Sequence, residues 1–356
     1  MTLSGSSEIV KNWRIHLNLS KATLLSTVLL AFAIGASAQD KSPLKLLHST
    51  PLPELHDGDF DHLTPDVVGN RLFVTAEENS KVLVFDLKTD KLIHTFADFK
   101  APHSMLYRAD LKKLFVVDSD PGEVKIYDTD SYKPAGSIKV REGADASGYD
   151  PSTKYFYVVN GGKDAKLPNA YISVIDVAAG KTVADIKIDS NDVEGVVFEK
   201  LGPRMFVNVR GKNAVEVYDR SSRELKATWS IAEAGKNPTS IAFDEDAHRL
   251  FLGTRVPGKL VVLDSDSGKV VTSYPAAAMV DDMAFDSQSK RIYFAGTEFL
   301  DVFHQSDADH CDRIGHIATA FRAKTGVLVP ELKRYYLAVP HHEKQTAELR
   351  VYEVLP

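Results

Sequence analysis

The stretch "RLFVTAEENSKVLVFD" (71–86) joins a run of bulky apolar residues to a second run that ends on an aspartate, across a polar gap. Short β-branched and aromatic runs separated by polar turn residues read as antiparallel strands. The same couplet returns along the chain. Its first half reappears as "KLFV" (113–116), "YFYV" (155–158), "RMFV" (204–207), "RLFL" (249–252), "RIYF" (291–294) and "RYYL" (334–337). Its second half reappears as "EVKIYD" (123–128), "YISVID" (171–176), "AVEVYD" (214–219), "KLVVLD" (259–264), "FLDVFH" (299–304) and "ELRVYE" (348–353). An apolar run precedes each couplet, and runs such as "KLIHTF" and "KVVTSY" follow it. Four strands every 40 to 49 residues, repeated seven times, predict an all-β fold, a seven-bladed β-propeller with four-stranded antiparallel blades.

The seventh unit lacks a fourth strand, because the chain stops at Pro356 just after its third. "LKLLHS" (44–49) stands unpaired ahead of the first unit and is expected to complete the last blade, closing the ring and hiding a free edge. The expected organisation is one domain over 39–356, with blades near 60–98, 99–140, 141–188, 189–232, 233–276, 277–319 and 320–354 plus 44–50. A closed ring has little need to associate, so a monomer is expected.

Residues 1–38 read as a cleavable signal peptide. Three basic residues against one acid precede the apolar run "ATLLSTVLLAFAIG" (22–35), and "ASAQD" (36–40) supplies a small-x-small signal with cutting expected after Ala38. The apolar run is short for a membrane span, so no stable span is expected after cleavage and the protein is read as periplasmic or secreted. The formal charge is −6, and the segment 1–38 carries +2, which leaves −8 for the remainder. An acidic body without a block of Lys or Arg argues against nucleic acid as a partner. Cys311 is the sole cysteine, so no internal disulfide can form.

The motifs "RLFV…VxVxD…GK", "FDHL" (60–63) and the closing "VPELKRYYLAVPHHEKQTAELRVYEV" (329–354) resemble the YVTN-repeat, YncE-like family of bacterial seven-bladed propellers over about residues 44–356. The resemblance implies the architecture and an exported protein. It does not choose a function, because one propeller frame hosts binding modules, lactonases, lyases and dehydrogenases.

The spacing to the second strand aligns the inner strands. An apolar or aromatic residue lies six positions ahead of it in six units, with Pro65 in the first. Four residues earlier stands the column Asp61, His103, Asp145, Glu194, Thr239, Asp281 and Lys324, followed one step on by His62, Ser104, Ala146, Gly195, Ser240, Asp282 and Thr325. At the head of inner strands, these residues would ring one mouth of the central channel. Loops after the second strands, with Glu77, Asp118, Asn160, Asn208, Arg210, Arg255 and His341–His342, would share that face.

Converging carboxylates need compensation from a cation, from raised pKa values, or from Arg and Lys. Asp61, Asp145, Glu194 and Asp281 are candidate ligands for a divalent cation. Oxygen ligands suit Ca²⁺, and His62 and His103 would favour Zn²⁺. Arg210 and Arg255 would either clamp an anionic ligand or only neutralise Glu194 and Asp281; Arg322, Asp282 and Asn237 complete the candidate ligand-binding set.

The leading functional expectation is a module that binds a small molecule, peptide or protein at an acidic channel mouth. The alternative is a metal-dependent hydrolase or lactonase with Glu194, Asp145, Asp281 and Asn237 on the cation and His62, His103 or Glu194 in catalysis. A quinone-dependent dehydrogenase fits poorly, because Trp13 and Trp229 are the only tryptophans.

Overall fold

In the computed structural model, which describes residues 42–356, the strands form seven four-stranded antiparallel sheets in the order the repeats predict. The first sheet runs inner to outer through Leu63–Asp66, Arg71–Ala76, Lys81–Asp86 and Leu92–Phe96, and the next five repeat that plan. The second and third strands lie between neighbours on both sides and between packed blades above and below. Their apolar runs are therefore continuous rather than alternating: Leu72, Phe73 and Val74 are all buried.

The last sheet closes as expected. Leu44–Pro51 pairs antiparallel with Glu348–Val354, from Leu44 against Val354 to Pro51 against Glu348, with a register shift between Leu46 and His48. The strand is two residues longer than the expected 44–49. The expected signal peptide, 1–38, lies outside the described residues.

The core is a set of interfaces between blades. Phe73, Val82 and Val84 of the first blade pack on Leu114, Val116 and Tyr127 of the second. Leu63, Leu72 and Val74 meet Val329, Tyr336 and Val351 of the seventh, so apolar packing continues through the point of closure. Cys311 is buried in the interface of the fifth and sixth blades. Burial pushes its thiol up to about 12, which makes it an inert packing residue.

Two parts of the repeat are explained by polar ties. The aspartate that ends most third strands accepts backbone N–H groups two and three residues on: Asp86 from Lys88 and Thr89, Asp176 from Ala178 and Ala179, Asp264 from Asp266 and Ser267. These turns fix the hairpin to the fourth strand. The arginine that opens many second strands reaches the next blade. Arg334 Nη1 donates to Leu87 O at 3.1 Å, Arg204 Nη1 to Ser265 O at 2.5 Å and Arg291 Nη1 to Leu355 O at 2.5 Å.

Candidate functional site at the channel mouth

The entry to six of the seven inner strands is bulged; in the seventh, Thr325 pairs with Ala338 in regular register and Lys324 N donates to Arg322 O. In the first blade Asp61 N donates to Thr75 O at 3.1 Å and Thr75 N donates to His62 O at 3.0 Å, so two inner residues oppose one residue of the second strand. The same exchange joins Asp145 and Ala146 to Val159, Glu194 and Gly195 to Asn208, and Asp281 and Asp282 to Ala295. A bulge overrides the alternation that would send neighbouring side chains to opposite faces. Both columns therefore reach one cavity of about 500 Å³, lined by all seven residues of the first column and by His62, Ala146, Gly195, Ser240 and Asp282 of the second. Gly195 is constrained by its neighbour: a Cβ there would come within 2.8 Å of Ile241 Cγ2 in the next blade.

The walls differ in how their carboxylates are balanced. On one wall Arg210 is ion-paired with Glu194. Asp281 is held from both sides, with Arg255 Nη2 at 2.5 Å from Oδ1 and Lys324 Nζ at 2.5 Å from Oδ2. Arg255 Nε also donates to Val280 O at 2.8 Å, so its guanidinium is fixed rather than free to clamp a ligand. Burial would lower the Lys324 pKa, but Asp281 and Asp59 raise it above the usual lysine value.

The opposite wall has imidazoles in place of fixed cations. His103 Nδ1 lies 3.1 Å from both Asp61 Oδ2 and Asp145 Oδ1, while its Nε2 is 3.6 Å from Glu77 Oε1. His62 Nδ1 lies 2.9 Å from Asp282 Oδ1, and its Nε2 is 3.6 Å from Asp61 Oδ2. The second oxygen of Asp282 accepts the Gly326 N–H at 2.9 Å, which fixes the carboxylate that orients His62. Of these adjacent acids, Asp281 faces two cations, and Asp282 faces an imidazole and a backbone amide.

Burial would lower both imidazoles, yet Asp61 and Asp282 raise His62, and Asp145 and Asp61 raise His103, well above the usual histidine value. Burial would raise Asp61, but His62 and His103 outweigh it and hold the carboxyl low; His103 does the same for Asp145. Glu77 is pushed up to about 7 by burial, with Asp61 and Asp145 adding to the effect against His103. Glu194 also rises to about 7, because burial and the Asp145 charge outweigh Arg210. Burial raises Asp282 despite His62. Imidazoles thus stand against the carboxylates of one wall and fixed cations against those of the other, where Glu194 nonetheless keeps its proton up to near neutral pH.

Several candidates lie elsewhere. Arg322 is outside the lining and spans Asp59 (Nε to Oδ1, 2.6 Å), Asp57 (3.4 Å) and Glu78 (3.3 Å) on the loops above it. Asn237 is also outside the lining; its backbone has a positive φ of 54° and its N–H donates to Asn213 Oδ1. Asn160, Asn208 and Asp118 are buried struts. Asn208 Nδ2 donates to Thr239 O and Ser240 O of the next blade, and Asp118 accepts the Lys100 and Ala101 N–H groups. His341 and His342 do not line the cavity; His342 Nδ1 sits 3.2 Å from Asp57.

Glu77 enters the wall from the short 3-10 turn Glu77–Asn79, and Asp120, Lys163 and Asp164 enter from loops of the second and third blades. The only sequence signal for Glu77 was its place directly after a second strand.

No protein-family model and no curated protein matches the chain. Among solved structures it is similar to a chain of Kuenenia stuttgartiensis hydrazine synthase, with 16% identity, a TM-score of 0.69, and coverage of 79% of this chain and 93% of that one. It is also similar to a chain in a crystal structure of the mitotic checkpoint complex, with 15% identity, a TM-score of 0.69, and coverage of 98% and 100%. At such identities the likeness establishes architecture alone: this chain is a seven-bladed β-propeller.

Proposed function

We propose that this chain is an exported propeller of the YVTN-repeat type that binds a small polar molecule or a peptide end at its channel mouth. The observation that carries the reading is the convergence of seven inner-strand heads on one cavity of about 500 Å³ walled by ionisable side chains. That volume is in the range of small-ligand pockets, and fixed polar groups in such pockets set orientation and specificity. Propellers commonly serve as binding modules, and the mouth is where sequence far apart in the chain is brought together. Export rests on the reading of residues 1–38, and N-terminal sequencing of secreted material should begin at Gln39.

A thermal-shift screen of amino acids, polyamines, small carboxylates and short peptides tests the binding. Compounds acting at the mouth should raise the melting temperature of the wild type and fail to do so in Asp145→Asn. Equal shifts in both proteins would move the site off the channel.

A hydrolase is the second reading, supported by one arrangement. Asp282 fixes His62 through Nδ1 and directs Nε2 toward Asp61, as a carboxylate orients a histidine that serves as base or metal ligand. Turnover of lactone or ester substrates lost in His62→Gln would favour it over simple binding.

A further inference from the structure

We propose that Asp61, Glu77 and His103 form a binding site for one divalent cation of the Zn²⁺ type, with the remaining coordination position open to the cavity. This deepens the reading of the cavity as a ligand site and rests on it, since the open position would receive an oxygen of the bound molecule.

The spacing fits. One ligand atom from each of the three residues lies within 4.8 Å of the other two. His103 Nδ1 stands 3.1 Å from Asp61 Oδ2, and its Nε2 stands 3.6 Å from Glu77 Oε1. Donors about 2.0–2.1 Å from a tetrahedral zinc ion are about 3.3–3.4 Å apart, and one ion takes only one nitrogen of the ring, so a turn of the His103 ring or of the Glu77 side chain is needed for a single nitrogen to close on the ion with both carboxylates. One imidazole with two carboxylates is a donor set for a borderline metal, and it suits Ca²⁺ less well because a ring nitrogen replaces an oxygen.

Two observations outside this trio point the same way. The first is charge balance. Glu194 and Asp281 each have a guanidinium or ammonium partner, whereas among the described residues Asp61, Glu77 and Asp145 have only imidazoles beside them and no guanidinium or ammonium in ion-pair range. The second is the orientation of His62, whose ring is held by Asp282 with its free nitrogen 3.6 Å from the buried Asp61 carboxylate. A histidine tethered through one nitrogen by a carboxylate and offering the other is the usual support around a bound metal. The four-carboxylate set of Asp61, Asp145, Glu194 and Asp281 fits a cation less well, because two of its members already hold cations of their own.

The test is zinc titration of the EDTA-treated, tag-free protein by calorimetry, with metal content after dialysis measured by elemental analysis. One equivalent of zinc should bind, and its dissociation constant should rise at least tenfold in both Glu77→Gln and His103→Gln. Glu77 lies in a partly exposed turn, so its variant should fold even if His103→Gln does not. Glu194→Gln on the opposite wall and His310→Gln at the exposed Asp307–His310 pair should leave that constant within about threefold. Absence of zinc binding in the wild type, or binding indifferent to Glu77→Gln, overturns the proposal. Intact zinc binding without any organic ligand would count against the cavity reading and leave the metal site standing, so the two failures are distinguishable.

Discussion

Arg255 and Asp281 meet at 2.5 Å across neighbouring blades, and neither is free to move, because Arg255 also binds the Val280 carbonyl and Asp281 also binds Lys324. Removing a carboxylate that holds two largely buried cations leaves Arg255 without an ion-pair partner among the described residues and Lys324 with Asp59 alone, at 3.5 Å. Asp281→Asn should destabilise the protein by about 2–4 kcal/mol, read by urea denaturation. In a double-mutant cycle with Arg255→Met the two losses should be clearly non-additive. Additive losses would mean that Arg255 and Asp281 do not stabilise the fold through each other.

Glu194 carries a pH signature. Its carboxyl ionises near 4.5 in an unfolded chain and near 7 in the folded one, so between those values the native state holds the proton more firmly. This group's contribution to stability therefore falls as pH rises through that window. Glu194→Gln removes the penalty. Relative to wild type, the variant should gain about 1–3 kcal/mol on going from pH 5 to pH 8, measured as the difference between paired melting curves. A difference that stays flat with pH would show that Arg210 fully compensates the charge.

The arginine that opens the second strand is expected to act as a tie between blades. In Arg204→Lys the charge remains, but one amine cannot reach Glu199, Ser265 and Asp266 together as the guanidinium does. A loss of about 1–2 kcal/mol is expected. Lys226→Gln, whose side chain pairs only with the exposed Glu224 of its own blade, should cost less than about 0.5 kcal/mol. Equal losses would remove the tie from the account.

Ring closure makes a prediction of its own. Leu44 is buried among Tyr293, Leu337 and Tyr352 at the seam. Leu44→Ala should cost about 2–4 kcal/mol. Hydrogen exchange should then rise first in Leu44–Pro51 and Glu348–Val354, before the sheets of the other blades. Uniform exchange would mean that the seam is no weaker than the rest.

Much of the fold is legible because the repeat has physical causes that are local in sequence. Asp86, Asp176 and Asp264 are spaced as they are because each caps its own hairpin, and a fixed six-residue interval to the second strand registers the inner strand. The heads of the inner strands could thus be placed at one mouth from the sequence. The bulge could not, since it depends on backbone exchange with the facing strand, and it is the reason that His62 and Asp282 share a cavity with Asp61 and Asp281. Side-chain pairing was legible in part: pairing of Arg210 with Glu194 and of Arg255 with Asp281 was one of the two expected outcomes, but the partners of Arg322 were hidden. Arg322 lies two residues from Lys324, yet it turns to Asp57, Asp59 and Glu78, whereas Lys324 turns to Asp281. Asn237 belongs to the right segment, but a left-handed backbone takes it out of the lining.

The pairing of Leu44–Pro51 with Glu348–Val354 also sets an order of events. Leu44–Pro51 is synthesised well before its partner Glu348–Val354, and until the two pair the nascent polypeptide exposes unsatisfied strand edges to any neighbour. Whatever escorts this chain during biosynthesis must keep those edges apart from other copies until Glu348–Val354 arrives.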